Sequence, residues 1–133
     1  MEPPCDAGTP VVDPAVLRQL RAELDADEAY CKVFVRNYLD QLPRRVSRLR
    51  CALISGDLEA AMDAVLSLKT SSRMVGACCL GAIADEVETA LKHVQDQEDS
   101  TGTKLPRLER TIFDRIEECS SLTLTQLSAE NAA

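Results

Sequence analysis

From Val16 to Cys119 the apolar residues of this chain recur three and four apart, and no stretch alternates apolar with polar as a half-buried strand requires. That periodicity commits the chain to helices, each carrying an apolar stripe that another helix has to cover. Asp13-Pro14 opens the first helix, because Asp can accept from free backbone N–H groups and proline is tolerated at the first helical position; Val16, Leu17, Leu20 and Leu24 follow at helical spacing. A long second helix is expected from about Asp27 to Ser55, with Tyr30, Phe34, Tyr38, Leu42, Val46, Leu49 and Leu53 on one face. Pro43 lies inside it and predicts a kink or a brief interruption, since proline donates no hydrogen bond and crowds the preceding turn.

Gly56-Asp57 ends that helix and caps the third, Asp57 to Val75, whose stripe is Leu58, Ala61, Val65, Leu68, Ser72 and Val75. Gly76 closes it. A fourth helix, about Ala77 to Gln95, turns Leu80, Ile83, Val87, Leu91 and Val94 inward and leaves Glu86, Thr89 and His93 toward solvent. After a polar loop, Asp96 to Lys104, the last helix spans about Leu105 to Leu122 and buries Leu108, Ile112, Ile116 and Cys119. The fold expected is therefore all-α: an antiparallel four-helix bundle with a short N-terminal capping helix. Residues 1–12 read as a flexible lead-in, 13–122 as the bundle and 123–133 as a flexible tail in which the pattern is lost.

Composition narrows the function. Twenty-two Asp and Glu outnumber fifteen Lys and Arg, which opposes binding to nucleic acid or acidic membranes, and two Tyr, two Phe and no Trp leave little for stacking on bases or sugars. No apolar run approaches the roughly 18 residues of a membrane span. Met1 to Pro10 lacks the basic start and apolar stretch of a secretory signal, so a cytoplasmic location is expected. The six cysteines form no C-x-x-C pair; most fall on apolar helix positions, where a free thiol behaves as a small hydrophobe, and neither a metal nor a cofactor is expected.

On the third helix, Met62, Leu66, Lys69 and Arg73 share one face beside the buried stripe. Periodicity alone allows two readings of Leu66, an exposed apolar residue with a basic edge that suits a protein partner, or part of a widened core stripe.

The run Val65-Leu66-Ser67-Leu68-Lys69-Thr70-Ser71-Ser72, with Gly76-Ala77 after it, resembles the signature of histidine-containing phosphotransfer (HPt) domains, approximately A-H-x-L-K-G-S-S followed by L-G-A. Leu68, Lys69, Ser71, Ser72, Gly76 and Ala77 match it. Leu42-Pro43, Gly56-Asp57 and the Leu80 to Glu88 stretch ending in Val87-Glu88 fall where the family has its L-P, G-D and L-E elements, so the resemblance runs from about Val16 to Glu118. It implies a helical bundle whose third helix presents a histidine that takes a phosphoryl group from a receiver-domain aspartate and passes it on, with the lysine offering positive charge to the phosphoryl oxygens.

Two departures change what is implied. Leu66 stands at the histidine position and has no nucleophilic atom, and Thr70 replaces the small glycine that allows close approach. The chain is thus expected to be a degenerate, non-catalytic member with no catalytic residue. Its partner-binding face would be Met62, Leu66, Lys69, Thr70 and Arg73, and its partner the receiver domain of a response regulator or a histidine kinase, whose phosphorelay it would modulate. His93, the only histidine, lies beside Lys92 without the A-H-x-L-K context and reads as a surface residue, while Ser71 and Ser72 lack a histidine to serve as base. No Gly-rich loop is present to hold nucleotide phosphates, and no small-molecule substrate is expected. The alternative is an HPt-derived scaffolding or self-associating helical module whose protein partner is unrelated to receivers.

Overall fold

In a computed structural model, which describes residues 9–24, 28–97 and 103–132, the chain forms α1 (Pro14–Glu23), α2 (Glu28–Ser55), α3 (Leu58–Met74), α4 (Cys78–Asp96) and α5 (Lys104–Ala132). No strand occurs among the described residues. Each of α2 to α5 packs on its neighbours in chain order and α5 closes the ring against α2, so the four make an antiparallel bundle. Helix α1 lies across α2 and α3 as the cap.

The chain's own chemistry sets the turns. Asp13 and Asp57 cap α1 and α3, their carboxylates accepting from the N–H groups of Ala15 at 3.0 Å and Ala60 at 3.1 Å. Gly76 follows α3 with φ +81°, and a Cβ there would lie 2.7 Å from the carbonyl oxygen of Asp13. The contact is productive, since the Asp13 N–H donates to the Gly76 carbonyl at 2.8 Å and ties the start of α1 to the α3–α4 turn.

Three expectations need correction. Helix α2 runs through Pro43 unbroken, and the proline is on the exposed side, where water can serve the carbonyl one turn earlier that it leaves unbonded. The first turns of α2 bury Cys31 and Val35 rather than Tyr30 and Phe34; Tyr30 is 69% exposed and Phe34 only half-buried. Helix α5 does not stop near Leu122. It continues to Ala132, because Thr123 and Leu127 extend the buried row of Ile112, Ile116 and Cys119, and the Asn131 amide donates to the Lys32 carbonyl on α2 at 3.2 Å. Residues 123–132 are therefore bundle, not tail.

Of the lead-in, residues 1–8 lie outside the described set, while Val12 is buried in the core. Cys31, Cys51, Cys78 and Cys119 are free thiols, and burial pushes the Cys119 thiol up to about 11. Cys79, also buried, is disulfide-bonded, so the expectation of thiols does not extend to it.

Arg50 fastens α2 to α5, with Nε 2.9 Å from Glu109 Oε1, Nη1 3.4 Å from Glu117 Oε1 and its guanidinium 5.6 Å from the centre of the Phe113 ring. Leu127→Ala should lower the unfolding free energy by about 2–5 kcal/mol in urea denaturation, as expected of a leucine truncated inside a packed core. A disposable tail would give no measurable change.

Candidate functional site

Helix α3 is covered on one flank by α2 and on the other by α4, which leaves a single outward strip. Ala61, Ala64, Val65, Leu68 and Ser72 face the core, while Asp63, Leu66, Ser67, Thr70, Arg73 and Met74 are exposed. Leu66 sits at the middle of that strip with 41% of its surface open to solvent, so it is not part of a widened core stripe. Met62, one turn earlier, is half-buried against the core, and Met74 is exposed one turn beyond Thr70.

Lys69 does not share the open strip. Its ammonium turns to α4 and donates to Glu88 Oε1 at 2.7 Å and, more weakly, to Oε2 at 3.4 Å, while Asp85 Oδ1 lies 3.1 Å away. Glu88 is buried, and Lys92 meets its second oxygen at 3.1 Å. A carboxylate this far from water has to be paired, and two lysines do so. The Lys69 bond holds the Glu88 carboxyl below its ordinary range, with Lys92 adding to the effect, and the bonds to Glu88 and then Asp85 raise the Lys69 pKa. The charge of Lys69 is thus engaged in joining α3 to α4, while part of its side chain stays accessible.

Arg73 does reach the surface. Its stem crosses α4 at Gly81, where a Cβ would lie 3.1 Å from Arg73 Cγ, so the glycine makes room for it. On the other flank, α2 and α3 enclose a groove of about 430 Å³ lined by Phe34, Asn37, Tyr38, Gln41, Arg45, Ser67, Thr70, Ser71 and Met74. Beneath it the Tyr38 and Ser72 hydroxyls share a buried hydrogen bond of 2.8 Å, and desolvation pushes the Tyr38 pKa up to about 12 despite that bond. Ser71 donates to the carbonyls of Ser67 and Leu68 within its own helix. His93 is exposed on α4, away from this strip.

The strip therefore gathers Leu66, Thr70 and Arg73, keeps Met62 at its margin and turns Lys69 toward α4. From sequence, Glu88 enters only as part of the family's L-E element and not as a partner of Lys69, and Arg45 does not enter at all. A carboxylate at position 88 is in step with Ala84 and Leu91 on the buried face of α4, and that was its signal. Nothing in the sequence of α2 alone places Arg45 beside α3. Among the described residues no three His, Cys, Asp or Glu converge as a metal would need, and no described helix is long and apolar enough to cross a membrane.

The model of the Hpt domain matches residues 33–127. Among solved structures, the chain is similar to histidine-containing phosphotransfer protein B (HptB) from Pseudomonas aeruginosa PAO1, at 22% identity and a TM-score of 0.71 over 92% of this chain and 96% of that one. It is also similar to the HPT domain of the Hpt sensor hybrid histidine kinase from Shewanella, at 20% identity and a TM-score of 0.56 over 85% and 92% of the two chains. At these identities the likeness is one of fold. No curated protein matches the chain.

The Glu88 network has a pH signature. A carboxyl whose folded pKa is lowered stabilises the fold above its unfolded pKa and loses that contribution as pH falls through the folded value; the raised Lys69 does the reverse at alkaline pH. Urea midpoints measured downward from neutral pH should fall more steeply for wild type than for Glu88→Gln once the pH drops below about 4.3. Parallel curves would mean that Glu88 is not held by Lys69 and Lys92.

Proposed function

Because the chain belongs to the Hpt domain family, whose members work in two-component phosphorelays, we propose that it is a non-catalytic adaptor of such a relay. It docks on the receiver domain of a response regulator, or on a partner histidine kinase, and modulates phosphotransfer by occupying a face that a histidine-bearing member would use. Leu66 supports this reading most directly: an exposed leucine stands at the phospho-acceptor position of the signature, on the outward strip of α3.

The chemistry of that position permits contact but no transfer. A leucine side chain has no lone pair to attack phosphorus and no N–H or O–H to donate. Its exposed methyl groups instead offer apolar area that a partner can bury, at about 25 cal/mol per Å² removed from water. Met62 widens the apolar centre, and Thr70 and Arg73 form a polar margin, the arrangement of an anchor within a wet rim. Lys69 acts here as a tie between α3 and α4 that keeps the strip straight. Two family features thus remain, the fold and the presented face, without the transfer atom.

Leu66→Glu should abolish binding to the cognate receiver domain or kinase while leaving the helical circular dichroism signal and urea midpoint unchanged. Loss of helical signal in that variant would place Leu66 in the core instead. Incubation of wild type with a phosphorylated kinase and receiver should leave no phosphate on the chain; label on His93 would defeat the non-catalytic reading.

A further inference from the structure

The charges around Leu66 are distributed unevenly, although the chain as a whole is acidic. On the α4 flank, Asp85 and Glu88 neutralise Lys69, and Glu86 is paired with Arg115 at 2.7 Å. On the α2 flank, Arg44, Arg45 and Arg48 lie within little more than one helical turn. None of the three ion-pairs with another described residue. Arg45 projects into the groove that Ser67 and Thr70 line, the first being the residue after Leu66 and the second lying one turn beyond it. The free cations next to the apolar anchor are thus Arg73 on α3 itself and the three arginines of α2, and the signature lysine is not among them.

We infer that Arg45, with Arg44 and Arg48 behind it, is the electrostatic half of the docking surface, so that the receiver domain seats its acidic rim over the α2–α3 groove and not over α4. This rests on the receiver reading given above and adds to it an orientation. Receiver domains surround their aspartate with carboxylates, and those carboxylates meet three unpaired guanidinium groups on the α2 side, but on the α4 side Arg73 alone, next to a helix whose Asp85 and Glu86 already hold the cations they face. The larger share of free positive charge is on the α2 side, so an acidic rim is drawn there. Gln41 and Asn37, further along the same groove, supply amide groups that pair with a polar partner surface.

The test uses the full chain and receiver domains purified from the source genome, with association rates and affinities measured at about 50 and about 200 mM NaCl, across which the screening length shortens by roughly half. Arg45→Glu is compared with Arg45→Gln and with Arg110→Glu, an equal charge change at an exposed position of α5. Charge reversal at Arg45 should weaken binding about tenfold or more at the lower salt, mostly through the association rate, and should flatten the salt dependence. Arg45→Gln should lie between it and wild type, and Arg110→Glu should stay within about twofold of wild type. If Leu66→Glu abolishes binding but Arg45→Glu and Arg45→Gln bind as wild type does, the orientation is wrong while the receiver reading stands. Equal losses from Arg45→Glu and Arg110→Glu would also overturn it, since only net charge would then matter. If wild type binds no receiver domain, both inferences fail together.

Discussion

Helix α3 is held from both sides, by α2 through the Tyr38–Ser72 hydroxyl pair and the packing around Leu68, and by α4 through Lys69 and Glu88. A helix gripped in this way has only one strip left to show, and everything functional about the surface follows from which side chains fall on it. Position 66 falls at its centre. Lys69, three residues on, is turned by the helical repeat just far enough for its stem to leave the strip and its ammonium to meet a buried carboxylate. Glu88 in turn is held ionised by Lys69 first and by Lys92 from the outer side.

This pairing gives the signature lysine a place in the fold whatever stands at position 66. As the counter-ion of Glu88 and Asp85, Lys69 has a structural task that needs no phosphoryl group beside it. The same reasoning moves the surface charge. With Lys69 engaged by α4, the unpaired cations near the anchor are Arg73 on α3 and the arginines of α2, of which Arg45 lines the groove beside α3.

Most of the architecture was legible in the sequence because it depends on local chemistry: caps at Asp13 and Asp57, glycines at positive φ at 56 and 76, and stripes at helical spacing. What was illegible depended on tertiary partners. Rows at Tyr30 and at Cys31 fit the start of α2 about equally well, and only packing against the bundle selects Cys31 and Val35. The end of α5 was missed because Thr123 and Leu127 are separated by exposed polar residues and Leu124, a pattern too sparse to read as a stripe until α2 is seen beside it. The site divides in the same way. Leu66, Thr70 and Arg73 could be placed on the open face from spacing and resemblance, whereas the inward turn of Lys69 required knowledge of Glu88 across the interface.

The central claim is that the α3 strip around Leu66 is a docking face that engages a receiver domain without chemistry. Titrating the isotope-labelled chain with an unphosphorylated receiver domain, and following backbone amide shifts by NMR, tests it residue by residue. The account predicts perturbations confined to α3 between Met62 and Met74 and to the α2 flank between Asn37 and Arg48, returning to the free values when the receiver is removed. Perturbations centred on α4 and α5, with the amides around Leu66 unmoved, would contradict it.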